Sequence, residues 1–78
     1  LVEKITGQYG VVAANIVADA IIALSPAIPR FLLPGGVYIV SGIIDTREAD
    51  VNAALASCGF TVTERHEHGG WLCLCCRL

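Results

Sequence analysis

The chain has 78 residues, is 55% apolar and 15% charged, and carries a net charge of −2 with a sequence pI of about 5.5. Its 5 basic residues are spread thinly, which excludes the basic stripe of a nucleic-acid binder. No apolar run reaches the roughly 20 residues that a membrane-spanning helix needs, because Asn15, Asp19, Arg30, Asp45 and Arg47 interrupt every long stretch and Pro26, Pro29, Pro34 and Gly35–Gly36 break it further.

Leu1 to Gln8 reads as a lead-in from an upstream element. It is no secretory signal: Glu3 and Lys4 are present, but no basic start precedes an apolar core. Tyr9 to Ala14 is an uncharged, partly β-branched run, the pattern of a strand covered on both faces in a parallel sheet. Asn15 stands at its end. Ile16, Val17, Ala20, Ile21 and Leu24 then recur at helical spacing. Ser25 before Pro26 has the form of an N-cap with proline at the first helical position, so the helix is expected to restart and run to about Leu33. Pro34-Gly35-Gly36 is read as a turn.

Val37 to Ser41 is a second apolar strand, and Gly42 to Asp45 a loop. Thr46 to Ser57 is expected to be helical, capped by Asp45 or Thr46 and closed by Gly59 just past its end. Phe60 to His66 carries polar residues around Val62 and suits a sheet edge. Gly69-Gly70 suits a tight hairpin turn. Trp71 to Leu78 is apolar on both faces and should lie inside the sheet, between the second strand and the polar edge strand. The first two strands can lie parallel through a right-handed crossover.

Chains of this length bury only about 60% of their unfolded surface, while average domains carry roughly 25% charged residues. This composition holds more apolar surface than one small domain hides easily. There is no Met, and the expectation is a single piece, residues 1–78, of a larger soluble protein. The cysteines are Cys58, Cys73, Cys75 and Cys76. Three of them share one expected strand, where neighbours point to opposite faces and rarely form disulfides. They are read as reduced thiols of a cytoplasmic protein.

Asn15 admits two readings. Asn is a favoured helix cap, and it also sits at a strand end, where open α/β sheets bind ligands. Ser41, Gly42, Asp19 and Asp45 read as turn, capping or solvated residues, and Trp71 as core or hairpin packing. A two-residue turn at Gly69-Gly70 would set His66 opposite Cys73 and place His66, His68, Cys73 and Cys75 on one face. Two imidazoles and two thiolates are a possible zinc set. Against it, a helix is expected over that face, and the spacing is no standard zinc pair.

The layout resembles the C-terminal half of the class I methyltransferase sheet, whose last strand is inserted antiparallel. The residues narrow the resemblance. Ala14-Asn15-Ile16-Val17-Ala18-Asp19-Ala20 is followed by Leu32-Leu33-Pro34-Gly35-Gly36, then Ser41-Gly42-Ile43, Cys58-Gly59-Phe60 and Trp71. From Tyr9 to Arg77 the chain is similar to the methyltransferase family that modifies protein eleven of the large ribosomal subunit. That resemblance implies a Rossmann-like α/β fold, S-adenosylmethionine as donor and an amino group on a ribosomal protein as acceptor. It implies Asn15 as the catalytic residue, Asn15 and Ile16 as cofactor-binding residues, and no metal. An amide oxygen accepts a hydrogen bond from an amine without charging it, and the rate gain comes from positioning.

Two departures stand out: Leu33 where Lys is commoner, and the cysteine-rich tail Cys73-Leu74-Cys75-Cys76. The glycine-rich loop and the acidic residue for the ribose are not in this sequence, and Gly7-Gln8-Tyr9-Gly10 precedes a strand where the fingerprint should follow one. The chain alone is therefore expected to bind the donor weakly or not at all. A free Tyr9 to Ala14 edge would favour self-association. Two alternatives stand beside this reading: a small zinc-binding or interaction module built on the hairpin, and a piece of another nucleotide-cofactor α/β enzyme.

Overall fold

The computed structural model describes residues 7–78, so Leu1 to Thr6 of the expected lead-in lie outside the described residues. The element order is β1 (Tyr9–Asn15), α1 (Ala18–Leu24), 3-10 turns at Ser25–Ala27 and Pro29–Phe31, β2 (Leu32–Ile44), a 3-10 turn at Asp45–Arg47, α2 (Glu48–Ser57), β3 (Thr61–His68) and β4 (Trp71–Arg77). The strands form one sheet in the order β1-β2-β4-β3. β1 and β2 are parallel, and β4 is antiparallel to both its neighbours. The last strand thus lies inside the sheet, where its two apolar faces placed it.

Gly69 and Gly70 turn the hairpin with φ of 57° and 83°, the pair of positive angles that matches the twist of the flanking strands. The register follows: His68 faces Trp71, His66 faces Cys73 and Glu64 faces Cys75.

Both helices cover one face. Ala18 and Ile21 of α1 and Val51 and Leu55 of α2 join Tyr38, Val40, Ile43, Leu72, Leu74 and Cys76 in the core. The alternate residues Val37, Ile39, Ser41, Cys73 and Cys75 point the other way and are half-buried. The expectation of a helix over Cys73 and Cys75 is therefore corrected. The two helices pack on each other, joined by an Arg47–Asp19 ion pair of 2.6 Å, so they must share a side of the sheet.

Several local expectations also change. No α-helix restarts at Ser25. Pro26 and Pro29 each lack the N–H that an α-helical ladder would need, so the chain takes two 3-10 turns and is extended by Leu32. Ser25 is buried and is no cap: its Oγ donates to the Ile21 carbonyl at 2.6 Å and lies 3.2 Å from the Tyr38 hydroxyl. Pro34 to Gly36 bulges within β2, the register moving from Tyr9 opposite Leu32 to Val11 opposite Val37. The expected loop at Gly42 is likewise a bulge, and β2 runs on to Ile44.

Helix α2 starts later than expected, after a 3-10 turn, and neither Asp45 nor Thr46 caps it through a side chain. Its end is as expected. Gly59 has φ 88°, its N–H donates to Ala56, and the Phe60 N–H reaches back to Leu55, which satisfies the last carbonyls. None of the described helices is long and apolar enough to cross a membrane.

Candidate active site

The parallel ladder ends at Asn15 opposite Ser41, so the C-terminal ends of β1 and β2 lie side by side. Beyond Asn15 the chain bends at Ile16, Val17 is extended (φ −64°, ψ 156°), and α1 begins at Ala18. Val17 occupies the cap position, and no side chain caps the helix. Of the two readings of Asn15, the cap is therefore not the one adopted. Asn15 is exposed at the strand end.

The Gly42 bulge sits against this amide. Gly42 has φ 77°, and a Cβ built there would lie 2.6 Å from Asn15 Oδ1, 3.3 Å from the Ile16 carbonyl oxygen and 3.5 Å from the Ile16 nitrogen. A residue read from the sequence as turn chemistry thus also shapes the space around Asn15.

Two cavities meet at this end of the sheet. One, of about 510 Å³, runs along the outer edge of β1, walled by Val11 to Ile16 and closed by Leu24, Ile28 and Phe31. The other, of about 400 Å³, lies toward the hairpin and is lined by Ser41, Gly42, His66, His68, Trp71 and Cys73, among others. Asn15 is common to both linings. Ile16, 37% exposed, lines the first. Trp71 is 55% exposed and lines the second, so of its two readings, core or hairpin packing, the core one is corrected. The signal was available in the sequence: the first residue after Gly69-Gly70 starts a strand at the same sheet end as Asn15, before burial closes over it.

Charge plays a supporting part. Asp19, expected to be solvated or capping, is exposed and held by Arg47, whose hydrogen bond keeps the carboxyl below its usual range. All four cysteines are free thiols. Burial pushes Cys76 up to about 11, and desolvation, then Glu64 and Cys73, push Cys75 upward. Cys75 and Cys76 therefore hold their protons at neutral pH, which suits packing and not nucleophilic chemistry. The hairpin brings His66, His68, Cys73 and Cys75 to one face as expected. Among the described residues, however, no group of three or more His, Cys, Asp or Glu side chains is placed to hold a metal ion.

The family model for ribosomal protein L11 methyltransferase (PrmA) matches residues 1–78. The chain belongs to this family. It is 46% identical over 78 residues to a ribosomal protein L11 methyltransferase of Pelotomaculum thermopropionicum and 42% identical over 78 residues to that of Desulforamulus reducens, covering 100% of this chain and 25% of each relative. The chain thus spans about a quarter of the length of the curated relatives it matches. The crystal structure of a ribosomal protein L11 methylase from Lactobacillus delbrueckii subsp. bulgaricus superposes with a TM-score of 0.95 at 27% identity, over 99% of this chain and 40% of that one. Membership of the ribosomal protein L11 methyltransferase family sets aside the reading as a piece of another nucleotide-cofactor enzyme.

Proposed function

We propose that this chain is the C-terminal segment of the catalytic domain of a cytoplasmic, S-adenosylmethionine-dependent protein N-methyltransferase acting on a large-subunit ribosomal protein. Its sheet is the C-terminal half of a Rossmann-like fold, with the donor-binding half upstream. The observation that carries this reading is the place of Asn15: exposed, not used as a cap, at the C-terminal end of a parallel strand, and common to both cavities. Ligands in open α/β sheets bind beyond such strand ends.

The donor supplies an electrophilic methyl group on a positively charged sulfur. Asn15 and Ile16 stand on the mostly apolar wall of the cavity along the β1 edge, and fit one side of such a molecule. The opposite side requires the glycine-rich loop and the acidic residue that this chain does not carry. The hairpin cavity then takes the acceptor amine, with Trp71 as an aromatic wall. Asn15 Oδ1 accepts a hydrogen bond from the amine N–H and turns the nitrogen lone pair toward the donor side. An amide cannot take the proton, so Asn15 orients without charging. Its contribution is positional, the kind that can supply several orders of magnitude in rate.

The test is calorimetric titration of S-adenosylmethionine into this chain and into the chain extended upstream by roughly 100 residues, about one small domain. Binding to the longer protein alone is expected, with methyl transfer abolished by Asn15→Ala. Failure of both to bind would overturn the reading. Taken alone, the chain is further proposed to self-associate through β1, an edge strand on which Val11 is 58% exposed. Light scattering that shows a monomer at high concentration would refute this.

A further inference from the structure

A bulge follows the Asn15–Ser41 pair, where the register shifts between Ser41 and Ile43. Its residue, Gly42, sits at φ 77° with the Asn15 amide where a side chain would begin: Asn15 Oδ1 is 2.6 Å from the Cβ position. Real Cβ atoms essentially never approach another heavy atom under 3.0 Å. The nearest atom is also the movable end of a side chain, while the backbone of Ile16 stands farther off at 3.3 and 3.5 Å. A methyl group at position 42 would therefore be relieved mainly by rotation of the Asn15 amide, with the Ile16 carbonyl giving by a few tenths of an ångström.

We infer that Gly42 is a positioning residue for Asn15: the missing side chain at the β2 bulge leaves the space that the Asn15 amide occupies when it faces the acceptor. This rests on the reading of Asn15 as the group that orients the amine. Two properties of glycine are used at once. The positive φ aims the bulge at the end of β1, and the absent Cβ lets an amide oxygen lie where a methyl group would be.

Gly35 supplies the control. It lies in the same strand with φ 76°, and nothing stands within 4 Å of its Cβ position. Alanine there imposes the same kind of backbone strain without touching Asn15.

The experiment measures kcat and acceptor KM in the full-length enzyme for Gly42→Ala, Gly35→Ala, Asn15→Ala and the Asn15→Ala/Gly42→Ala double variant. Gly42→Ala is expected to lower kcat by about 100-fold, the scale of a misplacement of roughly 1 Å, with acceptor KM changed little. Gly35→Ala is expected to keep the parent kcat. The double variant is expected to be no slower than Asn15→Ala alone, since the displaced group is already gone. Parent-like turnover in Gly42→Ala, an equal loss in Gly35→Ala, or multiplying losses in the double variant would each overturn the inference. If Asn15→Ala itself turns over normally, the functional reading has failed, and this inference with it. If Gly42→Ala does not fold, the melting temperature decides: adding Asn15→Ala should restore folding by removing the clash, and failure to restore it refutes the contact.

Discussion

The buried pair Ser25 and Tyr38 allows a quantitative test of how α1 is fixed to the sheet. Both residues have 0% relative exposure. Ser25 has one hydroxyl hydrogen, and it is committed to the Ile21 carbonyl at 2.6 Å. The 3.2 Å contact with Tyr38 must therefore be a hydrogen bond that Tyr38 donates and Ser25 Oγ accepts. Ser25→Ala leaves the Ile21 carbonyl satisfied, because the Ser25 backbone N–H also reaches it. The whole loss falls on the Tyr38 hydroxyl, buried without an acceptor. Such an orphan costs about 1–3 kcal/mol. For a domain of this size each kcal/mol moves Tm by about 4–8 °C, so a loss near the middle of that range lowers Tm by roughly 8–16 °C.

Tyr38→Phe removes donor and orphan together and should cost about 1 kcal/mol. The double variant should then match Tyr38→Phe and not the sum, a coupling of about 1 kcal/mol or more. Urea unfolding followed by circular dichroism measures all four proteins. A Ser25→Ala change within about 0.5 kcal/mol of the parent, or strict additivity, would refute the assignment.

Three further outcomes are expected. Gly59→Ala should destabilise by about 1–2 kcal/mol from backbone strain alone, since its Cβ would meet only Leu78 at an ordinary 4.0 Å; a neutral result in thermal melts would refute the left-handed cap. Burial raises Cys76 from 9.0 to about 11 and raises Tyr38 above 10.0. A folded-state pKa above the unfolded one means stability that is complete below pH 9 and is lost as pH rises toward about 11; pH-dependent melts should show this fall, and Cys76→Ala should flatten its first part. Trp71→Ala should change stability by less than about 0.5 kcal/mol, as exposed sites do, while raising acceptor KM in the full-length enzyme; a large drop in Tm with unchanged kinetics would return Trp71 to a packing role.

The sheet was readable because its signals are local and redundant. β4 is apolar on both faces, β3 is polar, and two glycines stand between them, which leaves one arrangement. The end of α2 was readable for the same reason, since Gly59 meets a need for positive φ. What the sequence did not disclose depends on distance. Which face α1 and α2 share follows from their packing on each other and from an ion pair across 28 positions of sequence, so the cover over Cys73 and Cys75 was misassigned. Phe31 to Leu33 keeps a helix-like apolar pattern, but Pro29 removes a donor from the ladder, so the pattern alone carries the helix too far. Asn15 was found through its strand end. Gly42 was not, because a clash with a side chain that does not exist has no signature in spacing.

The surplus apolar surface in the composition has a location. One face of the sheet is sealed by α1 and α2, with Ile21, Tyr38, Val40, Ile43, Val51, Leu74 and Cys76 at 0% exposure. Val11, Ala13, Val37, Ile39, Cys73 and Cys75 on the opposite face are exposed or half-buried, and β1 is an edge strand. Parallel strands ordinarily carry cover on both faces, and β1 and β2 have the uncharged, two-sided sequences that such cover requires. Asn15 stands at the corner where the open face, the edge of β1 and the strand ends meet. Catalytic geometry of the proposed kind needs that corner enclosed, because a hydrogen bond that orients an amine loses force when water competes for it. Val11, Ala13 and Cys73 of that poorly covered face line the two cavities that share Asn15, so part of the apolar excess falls on the walls of the proposed site.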